Sequence, residues 1–182
     1  LKECFEKGIY TAMNLGIDIC TGQYLLFIGA DDVIDFEKLE EMSENFLSKK
    51  IFDILITPLN ILHKNHVKKL MPKLDGKPYM FHHQSLFFNG KFLRDNLIKY
   101  DLIYKIHSDF DFIQRCFNIK CKYKILNIDP LVSFNLDGKS TSKRFTFQSS
   151  KELINIFLKY DALFTKKFLM TMIRKIYYLV KI

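Results

Sequence analysis

An α/β fold, a sheet flanked by helices, is predicted by three observations on this sequence. Two short apolar runs, Tyr24 to Ile28 and Phe52 to Thr57, have the continuous hydrophobicity of strands buried on both faces. Helical periodicity precedes and separates them, and alternating helix and buried strand indicates layered α/β architecture. Turn residues punctuate the runs, at Thr21-Gly22 and at Gly29-Ala30-Asp31-Asp32. With 182 residues, 48% of them hydrophobic, the chain is long enough to build a core.

The elements follow in order. Residues 5–19 form an amphipathic stretch in which Ile9, Ala12, Met13, Leu15 and Gly16 fit one helix face. The strand Tyr24 to Ile28 leads into the aspartate pair. A helix over 36–48 turns Phe36, Leu39, Met42, Phe46 and Leu47 inward. After the strand Phe52 to Thr57, the segments Leu59 to His63 and His66 to Leu70 are set to pair as a hairpin across Lys64-Asn65. Pro72, Asp75-Gly76 and Pro78 mark a loop. A strand is predicted at Ser85 to Phe88, a turn at Asn89-Gly90 and a short helix near 91–96. A longer helix runs from His107 to Asn118, and strands follow at Tyr123 to Asn127 and Leu131 to Phe134. Helices over about 147–160 and 162–180 close the chain. The chain opens at Leu1 directly into its first helix, so a fragment of a longer protein is expected.

Charge divides the chain near residue 142. From Lys143 to Ile182 nine basic residues face only Glu152 and Asp161, a net +7 of the overall +8. We therefore expect residues 1–142 to form one domain and residues 143–182 a basic, helical C-terminal segment. In that segment large apolar residues interleave with lysine and arginine. This suits a helix lying in an anionic membrane surface, and equally a core-packing helix with a solvated basic face. A nucleic-acid-binding module is the rival from another class, but no nucleic-acid motif appears and none is expected as partner. No apolar run reaches eighteen residues and no signal peptide is visible, so a cytoplasmic location is expected, peripheral to the inner face of the membrane. Cys4, Cys20, Cys116 and Cys121 show no zinc-like spacing and read as free thiols.

Three constellations carry chemistry. Asp31-Asp32, adjacent carboxylates where ligands gather in α/β sheets, call for a cation or hydrogen-bond donors. One reading is a divalent metal with an oxygen shell; the other is the N-cap of the next helix, shared with Asp35. Asp109 and Asp111, in the first turn of a helix, suit its dipole, or supply a base for a hydroxyl proton. His82-His83-Gln84 stand before a strand as ligands, acceptor contacts or caps. His66 and His107 read as surface or core histidines.

Together these residues resemble family 2 glycosyltransferases of the GT-A fold. Lys7-Gly8-Ile9-Tyr10-Thr11-Ala12-Met13-Asn14-Leu15-Gly16-Ile17, Thr21-Gly22-Gln23-Tyr24 and Phe27-Ile28-Gly29-Ala30-Asp31-Asp32 resemble that family's GIYDAMNKGI, ATGEYI and FLNSDD segments in order and spacing. His83-Gln84, the stretch from Tyr100-Asp101 through Asp109, Asp111 and Arg115, and Phe134 to Ser140 resemble later family segments, so the likeness covers about residues 6–142. It implies a GT-A-like mixed sheet lacking its N-terminal strands. It further implies inverting transfer of a sugar from a nucleotide-sugar donor to a saccharide or lipid-linked acceptor, in cell-surface polysaccharide synthesis. The metal would be Mn²⁺ or Mg²⁺, bound by Asp32. Asp109 would be the catalytic base. Gly8, Asn14, Asp31, Gly138 and Ser140 would contact the nucleotide, and His83, Gln84 and Asp111 the substrates. Thr11, Leu15 and Lys139 depart from the pattern. A non-catalytic remnant of such an enzyme remains the alternative.

Overall fold

Ile54, Leu55 and Ile56 are 0–1% exposed, as three consecutive residues are only when both faces of a strand are covered. They form β3 (Ile54–Ile56) in the computed structural model, which describes residues 8–47, 51–64, 66–74, 76–77, 79–135, 146–162 and 165–180. β3 pairs antiparallel with β6 (Leu86–Asn89) and parallel with β7 (Tyr123–Ile125), and β1 (Tyr24–Leu25) pairs antiparallel with the far side of β6. The first sheet therefore runs β1-β6-β3-β7.

Pro58, which has no N–H for a ladder, stands between β3 and β4 (Leu59–His63). β4 belongs to a second sheet of order β2-β8-β4-β5, with β2 (Val33–Ile34), β5 (His66–Leu70) and β8 (Val132–Asn135). β4 and β5 form the expected hairpin in the register Leu59 to Leu70 and His63 to His66. Parallel and antiparallel pairs occur in both sheets, so the predicted mixed α/β architecture is observed.

Strand alternation divides the core. Ile54 and Ile56 join Leu86, Phe88, Phe112 and Ile113 on one side, while Leu55 joins Met42, Phe87, Leu126 and Val132 on the other. On the first side lie α1 (Ile9–Ile19), α3 (Gly90–Asp95) and α4 (Ser108–Asn118), whose residues Ile17, Phe92, Leu93, Phe112 and Phe117 belong to that cluster. α3 starts as the Asn89-Gly90 turn predicted, because the Asn89 side chain accepts the Phe92 N–H at 3.0 Å. A third cluster joins Tyr104 and Phe110 to Leu153, Ile156 and Phe157 of α5 (Thr146–Lys159), with Phe168 and Met172 of α6 (Lys166–Val180) against it. The residues around the expected boundary at 142 lie outside those described.

Three local expectations are corrected. Tyr24 to Ile28 is not a strand covered on both faces: only Tyr24 and Leu25 pair, at a sheet edge, and Ile28 is 42% exposed. On α1, Ile9 and Ala12 face outward, and Tyr10, Met13 and Ile17 face the core. The periodicity was right in spacing but the face is turned by one residue. α2 (Phe36–Met42) continues as a π-helical turn, Ser43–Leu47, and its Phe36 is exposed rather than inward, because Leu39 and Met42 supply the contacts to the second cluster.

Phe112 stacks on Tyr100 at 4.2 Å and meets the edge of Phe88 at 5.1 Å, with no exposed surface of its own. Phe112→Ala is expected to destabilise the protein by about 3–5 kcal/mol. Ile103→Ala, at a largely exposed site, should change stability by less than about 0.5 kcal/mol. Urea unfolding midpoints compare the two.

Candidate active site

α4 brings a carboxylate to the rim of the first sheet. Ser108 Oγ donates to the Asp101 carbonyl at 2.8 Å and anchors the helix start. Asp109, next in the chain, accepts the Phe110 N–H at 2.8 Å. Its Oδ2 lies 3.3 Å from His83 Nδ1, on the 3₁₀ turn His83–Ser85 that leads into β6. Its Oδ1 lies 3.5 Å from the Tyr10 hydroxyl, which donates a shorter bond, 2.6 Å, to the Ile106 carbonyl. The Asp109 side chain retains 29% of its exposure and that of His83 17%, so solvent reaches both. Burial by itself raises the Asp109 pKa. The His83 hydrogen bond and charge, the charge of His107 and the Phe110 N–H together outweigh it and hold the carboxyl below the ordinary range. Asp109 is thus a carboxylate at neutral pH, placed at the positive end of a helix. Burial pushes the Tyr10 hydroxyl in the other direction, well above its ordinary value, and the charge of Asp109 adds to the shift, so Tyr10 remains a donor.

The aspartate pair sits on a turn between β1 and β2. Asp32 Oδ2 accepts the Gly29 N–H at 2.6 Å, and Oδ1 accepts the Asn135 N–H, from the end of β8, at 3.3 Å. A Cβ added to Gly29 would stand 3.0 Å from Asp31 Oδ1 and 3.1 Å from Asp32 Oδ2, so both carboxylates converge over this glycine. The capping alternative falls to Asp35 instead, which accepts the Lys38 N–H at 3.1 Å and pairs with its ammonium at 2.8 Å. No group of three or more His, Cys, Asp or Glu that could hold a metal occurs among the described residues. Two converging carboxylates nevertheless fit a hard cation whose other ligands are water and diphosphate oxygens.

Contacts connect the two acidic sites. Asp32 holds Asn135; the neighbouring Phe134 ring lies 5.6 Å from that of His82; and His83 follows to meet Asp109. A cleft of about 250 Å³, lined by His82, Ser85, Met80 and Thr57 among others, opens beside this turn.

Other expected site residues are placed differently. Asn14 donates to the Tyr100 carbonyl at 2.9 Å and accepts the Tyr100 N–H at 2.6 Å, so its amide binds backbone rather than facing a nucleotide. Asp111 is 0% exposed. Arg115 Nε and Lys159 Nζ each lie 2.7 Å from it and the Tyr160 hydroxyl donates at 2.9 Å, so it joins α4 to α5 rather than meeting substrate. Asp109 and Asp111 are two residues apart, about 200° around a helix, which is why only one of them faces the rim. Gln84 is buried, and Gly8 is the exposed N-cap of α1 at φ 134°. Gly138 and Ser140 lie outside the described residues. Tyr10, His107 and Glu152 adjoin Asp109 or its loop; the sequence pattern gives His107 only as a surface or core histidine and assigns none of the three to the site. Tyr10 stood inside the first quoted motif, but a single sequence carries no sign of the distant contacts of the other two.

A family model described as glycosyl transferase family 2 matches residues 5–110. The PGL/p-HBAD biosynthesis glycosyltransferases of Mycobacterium bovis (strain BCG / Pasteur 1173P2) and Mycobacterium tuberculosis (strain ATCC 25177 / H37Ra) are each 29% identical over 116 residues, 62% of this chain and 45% of theirs. The chain spans about half the length of the curated relatives it matches. Among solved structures, S. aureus TarS 1-349 with UDP-GlcNAc aligns with a TM-score of 0.62 at 18% identity, covering 82% of this chain and 47% of that one. The same TarS fragment with UDP gives 0.59, covering 81% and 46%. At 18% identity the likeness is one of fold.

His83→Gln is expected to raise the Asp109 pKa, because the charge at His83 that favours the carboxylate is lost. Carbon-detected NMR titration of the Asp109 carboxyl reads the shift; an unmoved midpoint would contradict this account of the pair.

Proposed function

We propose that this chain, which belongs to glycosyl transferase family 2, carries the acceptor-activating part of an enzyme that moves a sugar from a nucleotide-sugar donor to a hydroxyl of a saccharide or lipid-linked acceptor. The observation that carries the reading is the ionised, partly exposed Asp109 beside His83, whose neighbour His82 meets Phe134, next to the Asn135 that Asp32 holds. The names of the mycobacterial relatives and the UDP-GlcNAc held by TarS support this class of donor and reaction.

Asp109 accepts the proton of the acceptor hydroxyl as its oxygen attacks the anomeric carbon. The sugar configuration inverts and the nucleoside diphosphate departs. His83 keeps the carboxylate ionised and oriented, and Tyr10 holds the Ile106 carbonyl in the loop before α4. Asp31 and Asp32 would hold Mn²⁺ or Mg²⁺, whose charge offsets that of the leaving diphosphate.

Asp109→Asn keeps shape but cannot take a proton. With the wild-type protein releasing nucleotide from a UDP-sugar in the presence of acceptor, the variant should lose roughly a hundredfold or more in kcat. Retention of activity within a few-fold would remove Asp109 from the mechanism.

The C-terminal segment places the protein at an anionic lipid surface in this reading. Leu169, Met170 and Ile173 fall within about 100° of one another on α6 and are 50–59% exposed, on a segment of net +7. No helix among the described residues is long and apolar enough to cross a membrane. Phe168 and Met172 pack into the core, so deleting α6 would damage the fold and point substitutions are the better probe. Leu169→Glu with Ile173→Glu should abolish sedimentation with phosphatidylglycerol vesicles. Wild type should bind at low salt, release at high salt and ignore neutral vesicles. Equal binding to both lipids would reject an electrostatic attachment.

A further inference from the structure

The loop that delivers Asp109 is gripped by a residue far along the chain. Lys105, Ile106 and His107 present three consecutive N–H groups, and all three point to the carboxylate of Glu152 on α5. Lys105 donates to Oε1 at 2.9 Å, and Ile106 and His107 donate to Oε2 at 3.0 Å each. Gln148, one turn earlier on α5, adds a fourth bond to Oε1 at 3.0 Å. Successive backbone N–H groups converging on an anion form a nest, and charge-assisted bonds of this kind are strong. Glu152 is 6% exposed, so water does not compete for it. On the same face of α5, Ser149 Oγ lies 2.7 Å from His107 Nε2.

Hydrophobic packing alone does not require this arrangement. Leu153, Ile156 and Phe157 already join α5 to Tyr104 and Phe110. A carboxylate among these apolar side chains is costly unless its partners are fully engaged. Those partners are the N–H groups of residues two to four positions before Asp109, and the Ile106 carbonyl between them receives the Tyr10 hydroxyl.

We propose that Glu152 is a positioning residue: it fixes the 105–107 loop and thereby sets Asp109 against His83. The consequence for sugar transfer rests on the function proposed above; the positioning itself does not. α5 lies outside the residues matched by the family model, so the proposal makes it part of the active site rather than an appendage.

The test uses the full chain carrying Glu152→Ala or Glu152→Gln. In the alanine variant, hydrogen exchange at Lys105, Ile106 and His107 should accelerate about tenfold or more, while β3 and β6 amides remain protected. Should the alanine variant fail to fold, glutamine decides. Its single acceptor oxygen leaves at least one of the three N–H groups facing an NH₂, so wild-type exchange at all three in a folded Glu152→Gln protein overturns the clamp. In the transfer assay kcat should fall about tenfold or more, with the donor KM within about twofold and partial recovery in glutamine. An unchanged kcat in a variant whose loop amides exchange faster overturns the positioning role. Absence of transfer by the wild type counts against the proposed function, and exchange alone then decides the clamp.

Discussion

The aromatic column of Tyr10, Tyr100 and Phe112 is the contact on which the arrangement of this protein depends. Phe112 lies parallel to Tyr100, with 5° between the rings, and Tyr100 stacks in turn on Tyr10 at 5.5 Å. Phe27 closes the column edge-on at 5.4 Å. These rings come from α1, from the stretch after β1, from the segment before α4 and from α4 itself. Asn14 fastens the same segment by both its N–H and its C=O. The Tyr100 hydroxyl has no hydrogen-bond partner among the described residues, a cost of about 1–3 kcal/mol that the stacked pairs, at about 0.5–1.5 kcal/mol each, offset. The column holds the first residues of α4 at a set distance from α1, and so sets where Asp109 stands.

Around this column the polar groups divide by burial. Asp111 is fully enclosed and acceptable only because Arg115, Lys159 and Tyr160 surround it. Glu152 is enclosed by backbone N–H groups, which outweigh the penalty of burial and hold its pKa below the ordinary value. Asp109 meets a histidine, one backbone N–H and, at 3.5 Å, the Tyr10 hydroxyl, and keeps an open side. A carboxylate that is ionised and open on one side can accept a further hydrogen-bond donor. What separates Asp109 from Asp111 is exposure, 29% of the side chain against none.

The aspartate pair follows similar logic. Asp32 has both oxygens engaged by backbone N–H groups, one from its own turn and one from β8, while Asp31 is exposed. The turn is thereby tied on the Asp32 side and open on the Asp31 side.

Much of this was legible from the residues in order. The β4–β5 hairpin, the turn at Asn89-Gly90, the extent of α4 and the central burial of β3 follow from alternation, turn chemistry and apolar runs, which are local properties. The quoted motifs carried the family as well, because several short patterns in a set order are together specific. What only the tertiary structure decided is the partner of each polar group. Asn14 meets Tyr100 across 86 residues, Asp109 meets His83 across 26, and Glu152 meets the 105–107 loop across 45 to 47. Spacing along a helix says that Asp109 and Asp111 point apart, but not which of them points into the core; the packing of α5 against α4 settles that, by bringing Lys159 and Tyr160 to one side only. Sequence periodicity reports the existence of a face, and the identity of what covers it belongs to the fold.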